Sequence, residues 1–128
     1  MTKLAATMEE FQEALNELEE VLVMEKNDVV RGSAIKRFEL TFELSWKAVK
    51  AFLEEKRNVR CASPQMCFRE LFSQGIVEYD ETWITMAKWR NEAVHTYKEE
   101  LAEKLNRAGV RHITAISGMH VLILTSLL

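Results

Sequence analysis

The first part of the chain alternates apolar and polar positions with the period of a helix. Six apolar residues follow one another at steps of four and three positions: Leu4, Met8, Phe11, Leu15, Leu18 and Leu22. Glutamates occupy the other faces, at positions 9, 10, 13, 17, 19 and 20. Because this spacing places the apolar side chains on one stripe, we expect a bundle helix whose acidic face meets water.

A second, longer helix is predicted after the interruption at Asn27 and Asp28, beginning near Val29 or Ser33 and ending near Lys56. Its apolar residues cover more than one face: Ile35, Phe38, Leu40, Phe42, Leu44, Trp46, Val49, Phe52 and Leu53. A helix that is apolar on several sides is buried by more than one neighbour. We therefore expect the central helix of a bundle or a helix at a dimer interface, with its aromatic side chains in the core.

Capping residues predict three further helices. Ser63 and Pro64 form a strong helix start, since serine caps the first turn and proline fits its first position. This short helix is expected to end at Gly75, and Asp80 is expected to cap a fourth helix. A fifth is predicted over 98–107. No internal repeat is present, and the predicted fold is an all-α, antiparallel up-and-down bundle of four or five helices.

The composition is that of one globular domain and excludes several classes of protein. The chain has 128 residues, a net charge of −3, 48% hydrophobic residues, four glycines and one proline. All-β and Rossmann-type folds need more turn residues than this, and disordered chains have fewer apolar ones. A mildly acidic chain is also unlike a general nucleic-acid coat protein, so we expect no DNA-specific binding.

Two cysteines, Cys61 and Cys67, are too few for a disulfide framework. The N-terminal residues run directly into an amphipathic stretch and do not resemble a signal peptide. We therefore expect a cytoplasmic protein whose two cysteines are reduced.

Arg90 interrupts the apolar stripe of the predicted fourth helix. Because an unpaired buried guanidinium is costly, this residue requires a partner, an interface or an anionic ligand. Asn91 and His95 are four residues apart and share a face of the same helix. Arginine contacts phosphate oxygens in pairs and histidine transfers protons near neutral pH, so the group is a candidate phosphate site. The alternative is a hydrogen-bonded Arg90 beside a half-exposed His95.

No other chemical motif stands out. Glu39 and Glu43 are four residues apart, and we expect solvated charges that pair with Lys36, Lys47 or Lys50. The less favoured alternative is that they line the cleft of the candidate site. The chain has no glycine-rich nucleotide loop and no His-Glu-x-x-His motif, and its three histidines are too dispersed to argue for zinc. We therefore expect no metal and no cofactor.

Several separated motifs occur in an order that resembles the HEPN superfamily. They are Arg37–Lys47, Ser63–Pro64, Arg69–Phe72 with Gly75–Ile76, Trp83–Met86, and Arg90–Asn91 with His95–Tyr97. The resemblance covers roughly residues 8–105. Within this superfamily the motifs most closely resemble the branch of nucleotidyltransferase substrate-binding proteins, which are the HepT-like partners of a minimal nucleotidyltransferase.

The resemblance implies a homodimeric helical bundle and a set of site residues. The family motif of Arg, four residues, His, one residue and Tyr falls on Arg90, His95 and Tyr97, with Asn91 as the polar residue after the arginine. In related toxins this motif from two subunits forms a metal-independent ribonuclease site. The cognate nucleotidyltransferase acts as antitoxin, and the motif tyrosine accepts its AMP groups. Other members of the branch only bind a substrate, RNA or nucleotide, for that partner.

Physical chemistry is compatible with the ribonuclease role. Cleavage of RNA without a metal needs a base, an acid and a cation for the phosphorane charge. Two copies each of His95 and Arg90 at a two-fold axis would supply that set. A nucleotide on Tyr97 would fill the same cleft. The nucleotide-adding site itself would have to come from the partner.

The C-terminal segment departs from the family pattern, because residues 112–128 contain no Asp, Glu, Lys or Arg. We expect a bundle over 1–107 and an atypical apolar segment over 108–128. Residues 108–124 resemble a short piece of the ComEC family of competence DNA-uptake channels. Three interpretations remain: a fusion or frameshift product, a last bundle helix of altered composition, or a membrane anchor. The anchor is the least favoured, because the apolar run is short for a span.

Overall fold

The computed structural model describes residues 2–77, 79 and 81–95, leaving aside the side chains of residue 89 and residues 91–95. This part of the chain forms four helices: α1 (Lys3–Leu22), α2 (Asp28–Arg57), α3 (Pro64–Ser73) and α4 (Glu81–His95). The prediction of an all-α bundle is confirmed. The expected fifth helix, the Asp80 cap and the segment 108–128 lie outside the described residues.

The N-terminus of each of the first three helices is set by a short polar side chain. The side chain of Thr2 accepts a hydrogen bond from the Ala5 amide at 3.1 Å, and that of Ser63 caps α3 ahead of Pro64, as predicted. Asn27 accepts from the Val30 amide at 2.9 Å. Helix α2 therefore begins directly after Asn27, before either of the starts predicted for it.

Two residues with positive φ end the helices on either side of the 58–62 connection. Asn58 closes α2 with φ 55°, in the left-handed region that asparagine tolerates. After α3, Gly75 has φ 68° and its amide donates to the carbonyl oxygen of Phe72 at 3.0 Å. The predicted stop at Gly75 is confirmed.

Helix α2 is the central element, since it packs along α1 on one side and against α3 and α4 on the other. The rings of Phe42 and Phe68 lie 5.8 Å apart, and that of Trp83 lies 4.9 Å from Phe68. These contacts join α2, α3 and α4 in one aromatic core, which explains why α2 is apolar on several faces. Two of those apolar residues lie at its edge, because Trp46 is only partly buried and Leu40 is 50% exposed.

Polar contacts fix the register of α1 against α2. The buried hydroxyl of Thr41 lies 2.6 Å from the Arg37 carbonyl oxygen and 3.1 Å from that of Ala14 on α1. The guanidinium of Arg37 donates to the Glu17 carbonyl oxygen at 2.7 Å. In the described residues no helix is both long and apolar enough to cross a membrane.

The expectation of two reduced cysteines is wrong, because Cys61 and Cys67 form a disulfide. The chain turns back between α2 and α3 and brings their Cα atoms to 5.2 Å, a separation that a disulfide spans readily. Cys61 is 6% exposed, and Cys67, which lies in the first turn of α3, is fully buried in the core. The bridge therefore attaches the connection to the start of α3.

Candidate functional site

The candidate site is built on a contact between α2 and α4. Nη2 of Arg90 donates a hydrogen bond to Oε2 of Glu43 at 3.1 Å. The side chains are 38% and 28% exposed respectively, so the ion pair lies at the surface of the bundle rather than in its core. The sequence prediction that Arg90 needs an anionic or polar partner is met by a carboxylate 47 residues earlier in the chain.

Glu43 also lies beside a second cation. Its Oε1 is 3.8 Å from Nζ of Lys47, one helical turn later on α2. The predicted pairing of Glu43 with a neighbouring lysine is therefore confirmed, but its contact with Arg90 was missed. The one signal for that contact was the pattern itself: an arginine on an apolar stripe requires a carboxylate, and Glu43 lies among the apolar residues of α2.

A recess lies beside the guanidinium of Arg90. It has a volume of about 420 Å³ and is lined by Ser63, Pro64, Gln65, Ala87 and Arg90. Ala87 precedes Arg90 by nearly one turn of α4, so its small side chain leaves the space open beside the arginine. The start of α3 forms the facing wall. Sequence reasoning did not place either polar residue at this site, because Ser63 was assigned only to a helix start and Gln65 was given no role.

Two of the other predicted site residues belong to the same helix. Asn91 and His95 lie in α4, and His95 is its last residue. Five residues of helix carry the backbone about 7.5 Å along its axis, so Arg90 and His95 are little more than one turn apart. The side chains of Asn91 and His95, and the whole of Tyr97, lie outside the described residues.

The chemistry available at the described part of the site is that of anion binding. A guanidinium carries several N–H donors in one plane, and this arrangement suits the paired oxygens of a phosphate or carboxylate. The partial exposure of Arg90 allows a ligand in the recess to reach it. Among the residues that the structure describes, no group of three His, Cys, Asp or Glu side chains could hold a metal ion.

The fold and site define a helical bundle with a carboxylate-anchored arginine beside an open recess. Residues 6–118 match the model of the family described as nucleotidyltransferase substrate binding protein like. The chain belongs to this family. The match continues past the predicted boundary at residue 107, and that boundary stays a prediction.

Comparison with solved structures gives the same fold. A crystal structure of a protein from Thermus thermophilus superposes with a TM-score of 0.75 and 33% sequence identity. The match covers 91% of this chain and 98% of the other. A comparison with curated proteins finds no match.

Proposed function

We propose that this protein is the substrate-binding partner of a nucleotidyltransferase and holds a phosphate-bearing substrate, nucleotide or RNA, in the recess beside Arg90. The family match supports the partner, and the Glu43–Arg90 contact carries the assignment of the site. A cation that serves only to stabilise the bundle needs no open space beside it. Arg90 instead lines a recess of about 420 Å³ and is 38% exposed.

The size and walls of the recess suit such a ligand. A volume of about 420 Å³ falls within the range of roughly 300–1,000 Å³ typical of small-molecule sites. Ser63 and Gln65 add polar residues to the lining that they share with Arg90. Glu43 keeps the long arginine side chain in one place, which reduces the entropy that binding would otherwise cost.

The test of this proposal is a binding experiment with the cognate nucleotidyltransferase that the proposal requires. Size-exclusion chromatography of the two purified proteins is expected to show a complex. This complex is expected to bind a phosphate-bearing substrate at Arg90. Arg90→Ala is expected to leave the protein complex intact and weaken substrate binding. Lys88→Ala is the matched control, because Lys88 is an exposed cation on the same helix. Failure of the two proteins to associate would overturn the proposal.

A second candidate function is metal-independent RNA cleavage, which the occurrence of Arg90 and His95 five residues apart on the same helix supports. In this scheme the chain is a homodimer, and Arg90 and His95 of two protomers meet at the two-fold axis. One imidazole removes the proton from a 2′-hydroxyl, whose oxygen attacks the adjacent phosphorus. The P–O5′ bond breaks as the second, protonated imidazole gives its proton to the departing oxygen. The products are a 2′,3′-cyclic phosphate and a 5′-hydroxyl.

The arginines would act on the charge that this step develops. The phosphorane carries an additional negative charge on its equatorial oxygens, and a preorganised guanidinium stabilises it. Glu43 would position each guanidinium rather than contact the RNA. Removal of either Glu43 or Arg90 would then reduce the cleavage of RNA.

Neutralisation would occur at Tyr97. Catalysed by the partner nucleotidyltransferase, the Tyr97 hydroxyl attacks the α-phosphorus of ATP, pyrophosphate leaves, and AMP remains on the tyrosine. The added group would bring bulk and negative charge to the motif that contains Arg90. Incubation with the partner and ATP, followed by mass spectrometry of Tyr97, tests this step, and an unmodified Tyr97 beside an active partner would contradict it.

The ribonuclease candidate and the binding candidate give different results with the purified chain alone. Cleavage of RNA that disappears in Arg90→Ala and in His95→Ala, but not in Lys88→Ala, would establish the enzyme. Intact RNA in the presence of a pure dimer would leave the binding function. Both candidate functions place the protein in the cytoplasm as a homodimer. Light scattering of the purified protein measures directly whether it is a dimer.

A further inference from the structure

A second recess lies away from Arg90, in the groove between the start of α1 and the middle of α2. It has a volume of about 230 Å³ and is lined by Lys3, Thr7, Trp46, Lys47, Lys50, Ala51 and Glu54. Three of these seven side chains are ammonium groups and one is a carboxylate. The groove therefore has a positive balance of charge on a protein whose net charge is −3.

The lysines of this groove are only partly neutralised by the protein. Nζ of Lys47 lies 3.8 Å from the carboxylate of Glu43, and the same carboxylate also pairs with Arg90. Within the described part of the chain, no carboxylate forms an ion pair with Lys3 or Lys50. Glu54 is the one carboxylate in the lining, against three lysines, so the groove keeps an excess of positive charge that attracts anions.

Trp46 supplies an independent observation. Its indole Nε1 is buried and has no hydrogen-bond partner among the residues that the structure describes. A buried N–H donor without an acceptor is costly and rare in folded proteins. Trp46 lines the groove, so a ligand oxygen that reaches Nε1 would relieve this cost. The site consequently offers one neutral donor together with three cations.

The position of Lys50 decides which part of a ligand the groove can recognise. Its Nζ lies over the Trp46 ring, 5.9 Å from the ring centroid. Because that ring face is covered by an ammonium group, it is not available to stack a nucleobase. The volume of about 230 Å³ is also below the range of roughly 300–1,000 Å³ typical of drug-sized ligands. Both facts favour a small group of anionic oxygens.

We propose that the groove between α1 and α2 binds the phosphate chain of a small molecule, with Lys3, Lys47 and Lys50 as charge partners and Trp46 Nε1 as a hydrogen-bond donor. Lysine is well suited to this task as a point charge that contacts phosphate without a fixed geometry. The site is separate from the recess at Arg90, and it requires neither RNA cleavage nor a nucleotidyltransferase.

The test is isothermal titration calorimetry of the full chain with inorganic tripolyphosphate at constant ionic strength. All titrations are made in Arg90→Ala, which removes the phosphate contact proposed at the other recess, so one saturable site per chain is expected. The double variant Lys3→Gln/Lys50→Gln is expected to weaken binding at least about tenfold, since each charge-assisted hydrogen bond to the ligand contributes affinity of that order. Lys36→Gln removes an exposed lysine from α2 outside the groove and is expected to change the affinity less than about twofold.

Trp46→Phe separates the hydrogen bond from the packing of the ring. The phenyl ring retains an apolar surface beneath Lys50 but has no N–H group, and binding is expected to weaken roughly fivefold. Far-UV circular dichroism establishes that each variant is folded. An unchanged affinity of Trp46→Phe would overturn the role of the indole donor.

Two further ligands identify what the groove recognises. ATP is expected to bind about as well as tripolyphosphate, and adenosine is expected not to bind. Adenosine binding equal to that of ATP would overturn the proposal in favour of base recognition. Absence of saturable binding at millimolar tripolyphosphate, or an equal loss in Lys36→Gln and the double variant, would also overturn it.

Discussion

Glu43 and Arg90 form a hydrogen bond of 3.1 Å across two helices, and Glu43 at the same time lies 3.8 Å from Lys47. This carboxylate connects the arginine at one recess with a lysine at the other. It is therefore expected to control the orientation of Arg90 more than the stability of the bundle. Exposed ion pairs of this kind contribute about 1 kcal/mol or less to folding.

Glu43→Ala is expected to reduce every Arg90-dependent readout by roughly tenfold, because the guanidinium loses the group that positions it. Glu43→Gln is expected to remain within about threefold of the original protein, since the amide oxygen can still accept the hydrogen bond. Substrate binding or RNA cleavage is measured for both variants, with urea denaturation to follow their stability. Equal losses in the alanine and glutamine variants would contradict a positioning role.

Two glycines are expected to respond to alanine in opposite directions. Gly75 has φ 68°, and Gly75→Ala is expected to lower the free energy of unfolding by about 1 kcal/mol, because a Cβ is disfavoured in that conformation. Gly32 lies within α2 and a Cβ there would meet no atom within 4 Å. Gly32→Ala is expected to raise the free energy of unfolding by about 0.5–1 kcal/mol. Urea denaturation measures both values, and the same sign for both would contradict the assignment.

The Cys61–Cys67 bridge is expected to contribute modestly to stability. It closes a loop with a sequence separation of 6, and the loop-entropy relation then gives about 2 kcal/mol. Addition of dithiothreitol is expected to lower the unfolding free energy of the original protein by that amount. Cys61→Ser is the control that should not respond to the reductant. If dithiothreitol also left the stability of the original protein unchanged, the presence of the bridge would be contradicted.

Ser63 lines the recess beside Arg90 and is also expected to stabilise the fold by capping α3. Its side chain accepts a hydrogen bond from the Met66 amide at 3.3 Å, so Ser63→Ala is expected to cost about 1 kcal/mol of unfolding free energy. Ser73→Ala, at the exposed last residue of α3, is expected to stay within about 0.5 kcal/mol. Thermal or urea denaturation distinguishes the two, and equal effects would contradict the cap.

The elements of the fold follow from local sequence, whereas the site depends on tertiary contacts. Ser63 and Gly75 mark helix ends through their own backbone preferences, and both are visible in the sequence. The partner of Arg90 is not visible in the sequence, because Glu43 is 47 residues away and is equally able to pair with Lys47.

The disulfide was missed for a related reason. A count of two cysteines argues against a framework of bridges, but it does not indicate whether the two meet. Cys61 approaches Cys67 only because Asn58 ends α2 in a left-handed conformation and the chain then turns into α3. Trp46 likewise belongs to an apolar pattern, and its partial exposure depends on where α1 lies against α2.

The central claim is that Arg90 holds a phosphate-bearing substrate, and its most direct test is binding of a labelled single-stranded RNA and of AMP to the full chain. At least one of the two probes is expected to bind saturably and to lose about tenfold or more in affinity in Arg90→Ala, while Lys88→Ala retains it. No saturable binding of either probe, or equal losses in the two variants, would contradict the claim.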